Sequence, residues 1–390
     1  MCIICNNEIN TDDNILEIID CNKIRSIYHN LLNINILIIQ RCKNIKNISN
    51  MRNLSILEID NCKNLNYIPN IFNLSSLRLY NLPKLNTISN YCNLQDLTIH
   101  DCNYIITLPK INSLIRLTIY NCYNIKKIEK YPNLCNLTIC NCNKISYIPN
   151  LVKLNNLYVE YCMNLIDIYP MKSLKIININ NCNNLITLNK FINLKELYIY
   201  NCKILSIPNF ITLSKLTLFN CNNIKYLNNY KKLIYLEITN CYNIQYLPHL
   251  HNLKELYILN NLYIYKIPYI YSLTIISLLN CKKLSILPNY LNKLNRIYIK
   301  NCNLIFYLSN NIINSNIDMV NCKYINRNLQ YTYDYYILKY QINIFKKKFI
   351  NYIYNKNKNF IIKNNLISYK LTNNIDVINY ILSFRILLKL

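Results

Sequence analysis

The chain has 390 residues, 52% of them hydrophobic, and carries 44 Lys and Arg against 18 Asp and Glu, a formal net charge of +26. The apolar content is ample for a buried core. Because the chain contains no Gly, a glycine-rich phosphate loop and a nucleophile elbow are both excluded.

The positive charge has two interpretations. A basic chain ordinarily indicates an acidic partner, nucleic acid or a membrane surface. However, the residues encoded by AT-rich codons, including Lys and the 37 Tyr, are abundant throughout the chain. An AT-rich genome would enrich Lys without any functional cause. We favour this second interpretation, so charge alone identifies no partner.

Residues 1–14 precede a series of repeats, described in the next paragraph, and are expected to form an N-terminal cap segment over the first of them. They have neither the basic start nor the apolar centre of a signal peptide, and no apolar run in the chain approaches the roughly 18 residues of a membrane span. We therefore expect an intracellular, cytoplasmic protein with reduced thiols. Cys2 and Cys5 form a C-x-x-C, but no second such pair follows, and we predict no metal site.

Residues 94–109 show the pattern on which the chain is built, L-x-x-L-x-I-x-x-C-x-x-I-x-x-L-P. With Leu94 as position 1, the cysteine falls at position 9 and returns at intervals of about twenty residues, while Leu82 and Asn261 fill two gaps in the series. The chain therefore contains about sixteen repeats, and such a fixed period indicates a solenoid. The position-9 cysteines are Cys21, Cys42, Cys62, Cys102, Cys122, Cys142, Cys162, Cys182, Cys202, Cys221, Cys241, Cys281, Cys302 and Cys322.

Each repeat predicts one strand and an extended outer segment. Positions 4 and 6 alternate with polar residues, as in a strand with one buried face. Pro recurs at position 16 and disfavours helix, so the outer side is expected to be extended or short 3₁₀. Asn stands at position 8 in twelve repeats and is expected to make the turn that Gly would otherwise make. The position-9 thiols are interpreted as core packing rather than redox or metal chemistry.

This pattern resembles the leucine-rich repeat, in the form with Cys in place of the usual Asn at position 9. The resemblance spans residues 15–325. It implies an α/β-type repeat solenoid, a curved arc with a parallel sheet on its concave side, called the inner face below. It also implies that the inner face binds other proteins. One interval is a residue short, between Cys202 and Cys221, and we place this deletion on the outer side.

The repeats end near residue 325, and residues 326–390 form a basic segment with a different pattern. Leu338, Ile342, Phe345, Phe349 and Ile353 are three to four residues apart, as on one face of a helix. The apolar end of a repeat stack needs a cover. A helical C-terminal cap is therefore predicted here.

Positions 3, 5, 7 and 8 of each repeat are expected on the inner face, where eleven acidic residues, Asp318 among them, and six basic residues, Lys215 among them, give a formal charge of −5. An acidic face does not suit phosphate contacts, so we expect neither nucleic acid nor membrane as its ligand, but a protein of basic or mixed charge. Tyr is a typical interface anchor, although Tyr also simply suits strands. The densest Tyr and Glu run predicts the binding site: Tyr158, Glu160, Glu196, Tyr198, Tyr200, Phe219, Tyr235, Glu237, Glu255 and Tyr257.

No catalytic constellation is predicted, and no cofactor. His100 and Cys140 share position 7 but lie two coils apart, about 10 Å, too far for a base to activate a nucleophile. We therefore expect a non-enzymatic protein-binding scaffold. The alternative is a substrate adaptor of a ubiquitin ligase, since cysteine-bearing leucine-rich repeats resemble those of F-box proteins. A third hypothesis, binding of nucleic acid or an anionic membrane by the basic outer surface, rests on charge alone. The sequence indicates no oligomeric state.

Overall fold

The computed structural model describes residues 14–27, 33–285, 287, 291, 293–303, 305 and 316–322, all within the compact unit Met1–Leu329. In these ranges the chain forms strands and no helix. The strands are β1 (Ile15–Ile19), β2 (Ser26–Ile27), β3 (Ile36–Gln40), β4 (Asn47–Ile48), β5 (Ile56–Asp60), β6 (Ser76–Tyr80), β7 (Asp96–His100), β8 (Arg116–Tyr120), β9 (Asn136–Cys140), β10 (Tyr147–Ile148), β11 (Asn156–Glu160), β12 (Asp167–Ile168), β13 (Ile176–Asn180), β14 (Glu196–Tyr200), β15 (Lys215–Phe219), β16 (Tyr235–Thr239), β17 (Glu255–Leu259), β18 (Ile275–Leu279), β19 (Arg296–Lys300) and β20 (Asn316–Val320).

Sixteen of these strands form one parallel sheet whose order follows the chain, from β1 to β20. Each strand pairs with the strand of the next coil, so residues at the same repeat position lie side by side. Along a typical strand, burial alternates between the core side and the inner face. The predicted solenoid of stacked coils of about twenty residues, one strand per coil, is therefore confirmed.

Position 8 ends each inner strand with a left-handed residue. All sixteen position-8 residues in the described coils have φ between 50° and 56°, and twelve of them are Asn. Asn tolerates this conformation better than other side chains with a Cβ. Its amide also bonds along the stack, as from Asn280 to Asn260 at 2.6 Å. The turn predicted for Asn is confirmed, and Tyr161 is an exception with φ of 51°.

The core is filled by the predicted positions 1, 4, 6, 9, 12 and 15, and also by position 18, which the sequence pattern did not reveal. Position 18 carries residues as different as Met51, Ile71 and Phe191, all 3% exposed or less. Its tyrosines bury their rings, and two of them donate to backbone oxygen, Tyr131 to Pro109 at 3.2 Å and Tyr230 to Ile207 at 3.4 Å. An aromatic or aliphatic side chain at this position therefore closes each coil on its outer side.

The position-9 cysteines form a hydrogen-bonded ladder inside the core. Cys182 Sγ donates to the carbonyl of Asn180 at 3.4 Å and lies 3.9 Å from that of Val159, one coil earlier. Asn261 makes stronger versions of the same contacts. Its amide donates to Ile238 O at 2.7 Å, and its Oδ1 accepts from Cys241 N at 2.8 Å. The structure thus agrees with the packing interpretation of these thiols.

The outer side of the coils is extended. Two short strand pairs, β2 with β4 and β10 with β12, are the only regular elements there within the ranges described. The α/β class expected from the repeat resemblance is wrong for these residues, because twenty residues per coil leave no room for a helix opposite each strand. The predicted caps, 1–14 and 326–390, lie outside the described residues except for Asn14, and both remain predictions.

The register also locates the changes in repeat length. Glu196 of β14 pairs with Lys215 of β15, nineteen positions later, and all five residues of both strands are paired. The deletion therefore lies outside the strands, as predicted, where Ile204 and Ile207 remain buried. Two further coils, between β1 and β3 and between β18 and β19, are one residue longer. The strand pairing of the sheet stays continuous across all three changes in length.

Candidate functional site

The ten residues predicted as a site all lie on the inner-face strands between β11 and β17. Tyr158 and Glu160 belong to β11, and Phe219 to β15, while the other seven divide among β14, β16 and β17. Strand β13 separates β11 from β14 and presents Asn178 and Asn180. Asn180 Nδ2 donates to Glu160 Oε1 at 2.7 Å and so connects the β11 residues to the rest.

Three carboxylates of this region accept hydrogen bonds from tyrosines of their own strands. The first bond runs from Tyr198 Oη to Glu196 Oε2 at 2.6 Å on β14. The equivalent distances are 2.9 Å for Tyr235 to Glu237 on β16 and 3.0 Å for Tyr257 to Glu255 on β17. Positions 3 and 5 point to the same face of a strand, which explains the pairing. We call these six residues the Tyr–Glu patch.

Aromatic rings extend the Tyr–Glu patch across the strands. The ring centroids of Tyr235 and Tyr257 are 5.3 Å apart, and those of Tyr200 and Phe219 are 6.4 Å apart. Both distances fall in the range of favourable aromatic pairs. Tyr158, on β11, is 45% exposed. The predicted site residues thus form a surface with aromatic faces and carboxylates side by side.

The strands β1 to β9 arrange their charges differently. Asp20 binds Arg41 through two bonds of 2.7 Å, Glu58 binds Arg78 at 3.3 Å, and Asp96 binds Arg116. Each of these three acids therefore has a cation on the neighbouring coil, whereas Glu17 and Asp60 take part in no ion pair with a described residue. By contrast, the four glutamates of β11 to β17 take part in no ion pair with any residue that the structure describes. Their bonds are to neutral phenols and amides.

His100, at the end of β7, lies between two tyrosine rings of the neighbouring strands. Its ring is 5.4 Å from that of Tyr120 and 6.1 Å from that of Tyr80, and its Nδ1 is 2.6 Å from Asp101 Oδ2. Tyr120 stands on the strand between His100 and Cys140. Burial raises the pKa of the Cys140 thiol to about 12, so this sulfur is protonated at neutral pH. The geometry therefore supplies no activated nucleophile at these two residues.

The site prediction left out Lys215, a cation on β15 that lies within the Tyr–Glu patch. It stands at position 3 of β15, between Glu196 of β14 and Tyr235 of β16. Its Nζ lies 4.7 Å from the ring centroid of Tyr235 and 5.3 Å from that of Tyr198. The repeat register alone would have placed Lys215 here, since every position-3 residue lies beside the next. With four glutamates, these six inner strands carry a formal charge of −3.

Burial raises the pKa of three side chains among the predicted site residues, Tyr200, Tyr198 and Glu160. The pKa of Tyr200 is raised to about 12, first by burial and then by the charge of Glu237. The pKa of Tyr198 is raised by burial and by its bond to Glu196. Burial also raises the pKa of Glu160, and the bond from Asn180 partly opposes this. The phenols are therefore neutral donors at physiological pH.

The described residues contain neither a metal-binding cluster nor a membrane-spanning helix. No group of three or more His, Cys, Asp and Glu side chains in the described ranges is placed to hold a metal ion. Within those ranges, too, no helix combines the length and apolar character that crossing a membrane requires. The cysteines that the structure describes are free thiols.

The repeat pattern, the parallel inner sheet and the position-9 ladder together define a leucine-rich-repeat solenoid, as the sequence predicted. No protein-family model matches the sequence, and no curated protein matches it. Among solved structures, the leucine-rich repeat domain of the type III effector XCV3220 (XopL) is similar at 17% identity and a TM-score of 0.41, over 47% of this chain and 74% of that one.

Two other similar structures are also leucine-rich repeat proteins or receptors. The plant peptide hormone receptor RGFR1, solved with RGF2, has 14% identity and a TM-score of 0.22 over 76% of this chain and 74% of its own. A leucine-rich repeat protein from Eubacterium ventriosum has 12% identity and a TM-score of 0.19 over 72% and 80%. At TM-scores below 0.5, none of these likenesses identifies a partner, and the fold assignment stands on the repeat geometry.

Proposed function

We propose that this chain is a non-enzymatic protein-binding scaffold, and that its inner face between β11 and β17 binds a protein segment of basic character. The observation that carries the proposal is the Tyr–Glu patch. Three phenol–carboxylate pairs stand on nearby strands, and their glutamates have no cationic partner among the described residues. A basic segment would supply the missing cations, and the rings would supply contact area.

The ion pairs of the coils from β1 to β9 make that part of the inner face a poorer site for a basic partner. There, Arg41, Arg78 and Arg116 already neutralise neighbouring acids. A partner cation would have to compete with an arginine at each of these carboxylates. At the three carboxylates of the Tyr–Glu patch it would compete only with neutral hydrogen bonds from tyrosines, so the net gain on binding these carboxylates is larger.

The test compares two variants with the same change of charge. Glu196→Gln with Glu255→Gln removes two charges from the patch, and Glu17→Gln with Asp60→Asn removes two from the first strands of the same face. Fluorescence anisotropy would follow a fluorescein-labelled oligolysine peptide at physiological salt. We expect the patch variant to weaken binding about tenfold and the control less than about twofold, because screening acts over about 8 Å. Equal losses would mean general attraction to an acidic face and would refute the proposal.

The ubiquitin-ligase adaptor remains an alternative prediction, because no contact among the described residues bears on it. Affinity purification with the full chain, analysed for cullin-complex components, would distinguish it. Recovery of those components with the wild-type chain and with the Glu196→Gln, Glu255→Gln variant would favour an adaptor whose ligase contact lies elsewhere. For the nucleic-acid and membrane hypothesis, retention on heparin or anionic vesicles that disappears at physiological salt would leave only nonspecific attraction.

A further inference from the structure

Lys215 occupies the centre of the Tyr–Glu patch without an ion-pair partner among the residues described. Its ammonium group lies over two rings, at 4.7 Å from Tyr235 and 5.3 Å from Tyr198. A cation within about 6 Å of a tyrosine ring centroid is attracted by the negative face of the ring. Thr217, the next residue of β15 on the same face, is only 4% exposed.

The two rings are polarised toward a cation. The hydroxyl of Tyr198 donates to Glu196 at 2.6 Å, and that of Tyr235 donates to Glu237 at 2.9 Å. A phenol that donates to a carboxylate gains electron density, which strengthens its attraction for a cation. Glu196 and Glu237 also add their own negative charge at the edge of the ring pair. Two aromatic faces and two carboxylates around one position make a complete site for an ammonium or guanidinium group.

We propose that Tyr198, Tyr235, Glu196 and Glu237 form a site for one lysine or arginine side chain of the partner, and that Lys215 fills this site in the free protein. The inference rests on the proposed function and assigns a role within it. The flexible four-carbon stem of lysine allows the ammonium group to leave for water when a partner cation enters. Lys215 is then a specificity residue: it admits strongly basic segments and excludes neutral ones, which cannot replace it.

Removing the Lys215 side chain from the binding surface should tighten the binding of oligolysine, whereas most truncations at a binding surface weaken it. In Lys215→Met no lysine lies over the rings of Tyr198 and Tyr235, and one repulsive charge is gone. At a separation of about 7 Å in water, two unit charges repel by an amount equivalent to about threefold in affinity. With the vacated rings added, we expect oligolysine to bind about three- to tenfold more tightly than to the wild-type chain.

Lys195 provides a matched control, because it directly precedes β14, is exposed and contacts neither ring. Lys195→Met removes the same charge and should change the affinity by less than about twofold. Lys215→Arg keeps both the charge and the ring contact, so it should bind oligolysine as the wild-type chain does. Circular dichroism and thermal unfolding of every variant confirm that the array is intact.

Three outcomes overturn the inference. Binding by Lys215→Met that is unchanged or weaker shows that the partner does not replace this lysine. An equal gain in Lys195→Met shows that only net charge matters. If either result is obtained while the double variant Glu196→Gln, Glu255→Gln still binds oligolysine more weakly, the inner-face site is supported and only the role of Lys215 is refuted. Failure of oligolysine to bind the wild-type chain and all variants refutes both.

Discussion

Replacing Asn261 with Ala tests the hydrogen-bonded ladder of position 9 more sharply than any cysteine change. Asn261 is fully buried. Its amide donates to Ile238 O at 2.7 Å and Leu259 O at 3.1 Å, and its Oδ1 accepts from Cys241 N at 2.8 Å. Alanine leaves that N–H without its acceptor and removes a donor from two carbonyls. Since one unsatisfied buried group costs about 1–3 kcal/mol, we expect a loss of about 2–4 kcal/mol in unfolding free energy.

Two comparisons define the expected scale. Asn261→Cys restores the residue found in most coils, and its thiol can accept from Cys241 N as Cys241 Sγ accepts from Cys221 N at 3.3 Å. It should cost about 1 kcal/mol or less. Cys182→Ala loses weaker sulfur contacts, at 3.4 and 3.9 Å, and a small volume, so about 1–2 kcal/mol is expected.

The assay combines urea denaturation with hydrogen exchange of the Cys241 amide. Exchange is needed because stacked repeats can unfold in parts, so a single transition is not assured. In Asn261→Ala the Cys241 amide should lose its acceptor and exchange faster than in Asn261→Cys. A loss of stability no larger than that of Cys182→Ala, with the amide still protected, would refute the ladder as a hydrogen-bonding device.

Two other predictions concern single residues near the candidate site. Tyr161→Asn should raise stability by about 1 kcal/mol, because Asn suits the left-handed φ of 51° better, and thermal unfolding would reveal an unchanged or lower midpoint if this is incorrect. Binding of oligolysine should weaken as the pH falls, and because burial raises the pKa of Glu160, this glutamate loses its charge at a higher pH than an exposed one would. Glu160→Gln should therefore remove the early part of that loss, and a pH profile identical to that of the wild-type chain would exclude Glu160 from the site.

The sequence predicted the fold well because the repeat is written sixteen times. A single coil with Leu, Ile and Cys at fixed positions would be ambiguous, but the register turns each position into a row of neighbours. Position 18 escaped notice because Met51, Tyr91 and Phe210 share burial but no chemical type. Most residues at position 18 are apolar, such as Ile71 and Leu151, but their type changes from coil to coil, so no repeated letter marks the position.

The site was predicted less completely, for a different physical reason. The strand alternation correctly placed Glu196, Tyr198 and their counterparts on one face. However, the sequence treated Lys215 as one more charge, since the direction of a long side chain follows from its neighbours on other strands. Likewise, it counted Asp318 among the surface acids, whereas Asp318 is only 6% exposed. Which charges are paired, buried or available depends on contacts between coils, and only the structure gives these.

The central claim, that the inner face from β11 to β17 binds the partner, is tested most directly by a pair of double alanine variants. Tyr198→Ala with Tyr200→Ala removes two rings from the candidate site. Tyr80→Ala with Tyr120→Ala removes two from the first strands of the same face. We expect the first variant to bind oligolysine at least about tenfold more weakly, as hot-spot tyrosines do, and the second to bind almost as the wild-type chain does, with both arrays folded. Unchanged affinity in the first variant, or equal losses in both, would contradict the claim.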